Sequence, residues 1–210
     1  MITIEERFCC CIVIDTQLLP NTFDVKIELL PSSNTQKNYN VALERISILI
    51  KEVLEDSILI GPSSVKKFSQ PMGLNGIIHT LPDDPYDHLM AIVLHTKITA
   101  VLEGVFDVRR VSITSTQGQG VTHTFEDPDK EGDTLRQLID DPDLQEYVDY
   151  WYSSSVNFFR MHPNGIKLEI QEWDKEDLSY EKKASNANNI PFKSKFKPRL
   201  VADNDTDDEA

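Results

Sequence analysis

The run "HTLPDDPYDH" mixes imidazoles with carboxylates: it gathers His79, Asp83, Asp84, Asp87 and His88, with His95 seven residues further on. Imidazoles and carboxylates are ligands for a divalent metal, and a bound metal can activate water for hydrolysis. Asp83, Asp84, Asp87 and His88 are the residues such a site would use. Pro-Asp-Asp-Pro is equally the composition of a tight polar turn, and no HExxH or comparable ligand spacing accompanies it. A metal-assisted hydrolase built on the His79–His95 cluster is therefore the secondary reading, and no metal or cofactor is expected. His95 could also act as acid or base beside Glu103, Asp107 or His123. On the polar side of an amphipathic strand it is expected to face solvent instead.

Cys9, Cys10 and Cys11 are the chain's only cysteines. In a strand Cys9 and Cys11 project from one face and Cys10 from the other. Neighbours so placed are poorly set for a disulfide, and there is no CxxC spacing for zinc. Phe8 and Ile12-Val13-Ile14 provide no electropositive setting to lower a thiol pKa, so the three are expected to serve as small hydrophobes in a buried strand. The glycines of "STQGQG" precede no Lys-Ser/Thr pair and make only a faint phosphate-loop signal.

Two further stretches suit a macromolecular partner. Tyr150, Trp151 and Tyr152 are consecutive, cannot all enter one core, and offer interface aromatics. Near the C-terminus, Lys182, Lys183, Lys193, Lys195, Lys197 and Arg199 are interleaved with Ile190, Phe192 and Phe196. Cations with spaced aromatics can follow a phosphate backbone and stack on bases, or dock on an acidic protein groove. The closing Asp203, Asp205, Asp207, Asp208 and Glu209 oppose the first use, so a protein partner ranks ahead of single-stranded nucleic acid.

The elements that must position these residues follow from periodicity. Alternation in 7–15 and in "FDVKIELL" predicts an antiparallel hairpin, and residues 39–55 carry apolar positions at helical spacing. Met90, Ile92, Leu94, Ile98, Ala100 and Leu102 share one parity, which predicts a long strand over 88–103. Strands are also expected over 105–116, at "VTHTF" and over 166–173. Asp141-Pro142 opens a second helix, 142–160, with aspartate at the N-cap and proline first inside. The expected fold is α+β: a mainly antiparallel sheet covered by two principal amphipathic helices, in one domain spanning 1–174. Residues 175–210 read as a disordered tail, basic and aromatic over 182–199 and acidic over 201–210.

Forty per cent apolar residues fit a globular chain, and a formal charge of -14 repels phosphate backbones and anionic lipid as a whole. The N-terminus does not read as a signal peptide, and no segment reaches the length of a membrane span, so a cytoplasmic location is expected. With the usual nucleophile and phosphate-loop signatures missing, the pattern favours binding over catalysis. The expected function is a non-enzymatic binding or assembly protein. Its folded domain would dock a protein partner through Tyr150, Trp151 and Tyr152, and its tail would do so through Phe192, Lys193, Lys195, Phe196, Lys197 and Arg199.

Overall fold

Strict alternation builds the first two strands of the computed structural model, which describes residues 1–15, 17–32, 38–64, 77–127, 134–139, 141–162, 165–171, 173 and 178–180. β1 (Ile2–Ile14) and β2 (Gln17–Pro31) pair antiparallel from Ile2 opposite Leu29 to Ile14 opposite Gln17. Phe8, Cys10 and Ile12 enter the core beside Phe23, Val25 and Ile27, and the Phe8 ring stacks on Phe23 at 5.1 Å. The other face of the hairpin is polar: Arg7 pairs with Asp24 across the strands. β5 (Phe106–Ser115) and β6 (Thr122–Phe125) continue it with hydroxyl pairs, Ser112 to Thr124 at 2.9 Å and Thr114 to Thr122 at 2.8 Å.

Beyond β1 the direction changes. β3 (Ile58–Ile60) and β4 (Ile77–Thr80) run parallel to β1, and β7 (Val156–His162) and β8 (Gly165–Gln171) add an antiparallel hairpin. The strand order is β6-β5-β2-β1-β3-β4-β7-β8. The sheet is therefore mixed, which corrects the expectation of a mainly antiparallel one. β3 runs opposite to β2, from which it follows in the chain, and lies against the other edge of β1 in the direction of β1; β4 and β5 also share that direction and are joined by a long helix, as parallel strands require.

α1 (Tyr39–Ile48) passes into a π-helical turn (Leu49–Leu54), covering the predicted 39–55 and burying Val41, Ala42, Ile46, Leu49, Ile50 and Val53. The strand predicted over 88–103 is instead helix α2 (Asp87–Leu102). It packs on β5 and β6 and also against α1, α3 (Thr134–Leu138) and α4 (Gln145–Tyr152). Enclosed on nearly every side, α2 needs no polar stripe, so the period that betrays an amphipathic helix is missing. The helix predicted over 142–160 also needs correction. A 3-10 turn (Pro142–Leu144) leads into α4, which stops at Tyr152; Ser153 is extended, and β7 begins at Val156. Serine competes for the backbone and is a poor helix interior residue, and Ser153-Ser154-Ser155 supplies three together. The picture of two principal amphipathic helices gives way to several helices arranged around a buried one.

The folded part runs past the expected boundary at 174: Trp173 and Leu178 are buried, and Tyr180 packs against the core. Arg45 of α1 holds this end in place. Its Nε donates to the Leu178 carbonyl at 2.9 Å, Nη1 donates to Val101 at 3.0 Å, and the guanidinium lies 3.9 Å from the Tyr180 ring centre. The remainder of the expected tail, 181–210, lies outside the described residues.

Candidate functional site

The two parallel strands end side by side, and a proline follows closely after each: Pro62 opens a helical turn after Gly61, whereas Pro82 and Pro85 lie in a loop. β3 gives way to Gly61-Pro62-Ser63-Ser64, and β4 to Leu81-Pro82-Asp83-Asp84-Pro85. The loops touch at Gly61. A Cβ there would lie 2.6 Å from Asp84 Oδ1 and 3.0 Å from the Asp83 carbonyl oxygen, so only glycine lets the backbones approach this closely. Crevices outside the carboxyl ends of parallel strands are where open sheets take ligands. Here such a crevice exists, a cavity of about 480 Å³ whose far wall is Leu138 and Ile139 at the end of α3 and Leu144 of the 3-10 turn.

The cleft is apolar within and acidic at its rim. Pro62, Pro82, Leu138, Ile139 and Leu144 make its walls, and Asp83 and Asp141 carry the charge. Leu138 keeps 57 % of its surface exposed, a large apolar group left bare beside two carboxylates. Each carboxylate also fixes its own loop: Asp83 Oδ1 accepts from the Asp84 N–H at 2.8 Å, and Asp141 Oδ1 from the Asp143 N–H at 3.0 Å. The Asp141 contact realises the helix cap expected at Asp141-Pro142.

The His79–His95 run does not converge. Asp83 faces the cleft, Asp84 packs on Gly61, and Asp87 turns to Ser115, whose Oγ donates to Oδ1 at 2.7 Å. His88 is exposed and stacks near Tyr86, with ring centres 6.0 Å apart. Among the described residues no three His, Cys, Asp or Glu side chains stand together as a metal-holding group. The "STQGQG" loop closes on the start of α2 instead of forming a phosphate cradle. Gly118 N–H donates to Ser115 Oγ at 2.9 Å, and a Cβ on Gly118 would meet Asp87 Oδ2 at 2.1 Å.

Three buried titratable groups are bound to backbone carbonyls. His79 Nε2 lies 3.0 Å from the Val53 carbonyl, and its Nδ1 3.4 Å from the Tyr150 hydroxyl. Burial pushes this imidazole down to about 4. His95, expected at the surface, is buried; its Nε2 is 3.0 Å from the Val108 carbonyl and burial lowers its pKa. Glu103, considered as its partner, pairs with Arg45 at 3.1 Å. Lys97 is fully enclosed, and Nζ donates to the carbonyls of Tyr150, Ser153 and Ser155 at 3.0, 2.8 and 2.7 Å. Burial draws its pKa down to about 7. Only the ammonium has three hydrogens for three carbonyls, so this geometry favours the charged form.

The aromatic triplet behaves differently from its sequence expectation. Trp151 is 1 % exposed and its Nε1 donates to the Thr80 carbonyl at 3.1 Å, which removes it from any docking surface. Tyr150 and Tyr152 are half-buried. Tyr150 is engaged by Lys97 and His79, and Tyr152 lies under Arg136, whose guanidinium is 4.2 Å from its ring centre. Phe192, Lys193, Lys195, Phe196, Lys197 and Arg199 lie outside the described residues. The cysteines divide: Cys10 is core, with burial raising its thiol pKa, whereas Cys9 is exposed and Cys11 half-buried. Burial as small hydrophobes thus holds for Cys10 and not for Cys9. The cleft itself was missed, although Gly61-Pro62, Pro82 and Asp141-Pro142 marked its loops. What linear reading lacked was the knowledge that β3 and β4 are adjacent and parallel.

No family model matches the chain, and no curated protein matches it. Among solved structures, two catalytic-residue mutants of Plasmodium vivax 6-pyruvoyltetrahydropterin synthase align over 60 % of this chain and 96 % of theirs, with 10 % identity and a TM-score of 0.39. A likeness that distant carries neither fold nor activity across. Among the described residues no helix is long and apolar enough to cross a membrane.

Proposed function

We propose that this is a binding or assembly protein acting inside the cell, and that it docks a protein partner in the cleft beyond β3 and β4. The observation that carries the reading is the bare Leu138, which lines the same cleft as Asp83 and Asp141 together with proline and leucine walls. An apolar anchor surrounded by a charged rim is the anatomy of a protein interface. The buried His79, His95 and Lys97 are consistent with this view, because their polar atoms are engaged by backbone carbonyls and none of the three lines the cleft. Docking moves from the Tyr150–Tyr152 triplet to the cleft because Trp151 belongs to the core.

A photo-crosslinking residue at position 138 of the full chain tests this, with the same residue at the exposed Val121 as control. Position 138 is expected to trap one protein, identified by mass spectrometry. That protein, purified, should bind the wild type and lose at least tenfold in affinity on Leu138→Asp. Equal trapping from both positions, or an affinity that Leu138→Asp leaves unchanged, would overturn the proposal.

A further inference from the structure

The cleft states the chemistry of its occupant. Two rim carboxylates above proline and leucine walls call for a cationic segment with a large apolar anchor, and a chain with net charge -14 has few places to supply one. Residues 190–199, "IPFKSKFKPR", do so: four cations, no acid, and Phe192 and Phe196 four positions apart. From this match we infer that the cleft is occupied by residues 190–199 of the same chain, so that an incoming partner must displace an internal competitor. The inference rests on the docking reading above and adds an occupant to it.

Chain length permits the contact. Tyr180 is held at the C-terminal end of α2, its hydroxyl donating to the carbonyls of Val101 and Leu102 at 3.4 and 3.1 Å. Asp83 lies just ahead of the other end, since α2 begins at Asp87. A 16-residue helix spans about 24 Å, whereas the ten residues from Tyr180 to Ile190 can extend to about 33 Å. The Arg45 and Tyr180 contacts therefore place the start of the segment within reach of the cleft. A segment tethered on the same chain acts at a high effective concentration, so modest intrinsic affinity suffices to keep the cleft filled. Two Asp–cation contacts on an exposed rim are weak individually, and the phenylalanines must provide most of the anchoring.

The test uses full-length protein and a fluorescent peptide of residues 190–199. Phe192→Ala/Phe196→Ala in the full chain removes the internal anchors and empties the cleft. The peptide is expected to bind this variant at least tenfold more tightly than wild type, and to lose at least tenfold again when Asp83→Asn, Asp141→Asn and Leu138→Asp are added. Equal affinity for wild type and the Phe variant, or binding indifferent to the cleft changes, would overturn self-occupancy. So would a wild-type dimer in sedimentation that the Phe variant dissociates, because the segment would then be serving a second copy. The crosslinking result is independent of these outcomes. A partner trapped at position 138 with no peptide competition rejects the internal occupant alone, whereas cleft-specific peptide binding without any trapped partner rejects the docking reading.

Discussion

The two halves of the sheet solve the same problem by different means. On one side, β1, β2 and β5 are 13, 15 and 10 residues long, and alternating apolar side chains plus long ladders, interrupted once by a register shift at Glu28/Leu29, hold them together. On the other, β3 and β4 have three and four residues, and among the described residues β4 meets β7 in two registered pairs, Ile77 with Arg160 and Ile78 with Phe159. So short a ladder does not fix a strand, and side chains supply what it lacks. Lys97 binds three carbonyls in and just after the last turn of α4, His79 of β4 reaches Val53 and Tyr150, and Trp151 reaches Thr80. The long half is ordered by burial, the short half by buried polar groups that take over the role of the ladder.

The contrast can be tested by breaking each half separately. Phe8→Ala removes a fully buried ring from the long half and should cost about 4 kcal/mol. Lys97→Met keeps the volume but leaves three carbonyls without a donor, and should cost about 3 kcal/mol. Urea denaturation gives both values, and native-state hydrogen exchange separates them. Phe8→Ala should speed exchange throughout the molecule, while Lys97→Met should first release the amides of β4, α4 and β7. Uniform acceleration by Lys97→Met would remove the distinction between the halves.

Acid should weaken the short half next. The His79 pKa is about 4 in the fold against about 6.5 in an unfolded chain. Below pH 6.5 the unfolded state takes the proton first, so stability present above that pH is lost as pH falls through 4, about 2 kcal/mol of it by pH 5. His79→Gln should flatten that part of the stability profile, as read from urea midpoints between pH 7 and 5. An unchanged slope would mean that His79 does not carry the acid sensitivity.

The smallest effect belongs to the open polar face of the long half. Thr114→Ala breaks a hydroxyl pair that is worth no more than about 0.5 kcal/mol, because the ladder beneath it is complete. A loss above about 1.5 kcal/mol would show that this face is structural in its own right.

The same division governs what could be read in the sequence. The first hairpin was legible because Phe23, Val25, Ile27 and Leu29 alternate with Asp24, Lys26 and Glu28 on a half-wet sheet. α2 was not, because its enclosure leaves apolar residues on every side and Met90, Ile92 and Leu94 then match period two by coincidence. Nothing local in the sequence marks Lys97 as a clamp for carbonyls more than fifty residues away. Of the candidate site, Asp83 was legible as a polar loop residue. Its partnership with Leu138 depends on which strands lie parallel and adjacent, information that no local pattern holds.

The Arg45 clasp has a temporal consequence. Its guanidinium sits in the core at 3 % exposure, and the Leu178 carbonyl it binds lies 133 residues further along the chain. At 5–20 residues per second, a ribosome needs roughly 7 to 27 s to travel that distance. Throughout that interval the first hairpin and α1 can be complete while Arg45 still lacks its last acceptor and its aromatic cover. The hairpin is thus available to fold as it emerges, but the enclosure of the Arg45 guanidinium waits for the arrival of Leu178 and Tyr180. Synthesis therefore separates an early folding event near the N-terminus from a late locking event, and the nascent chain remains unlocked until most of its length has been made.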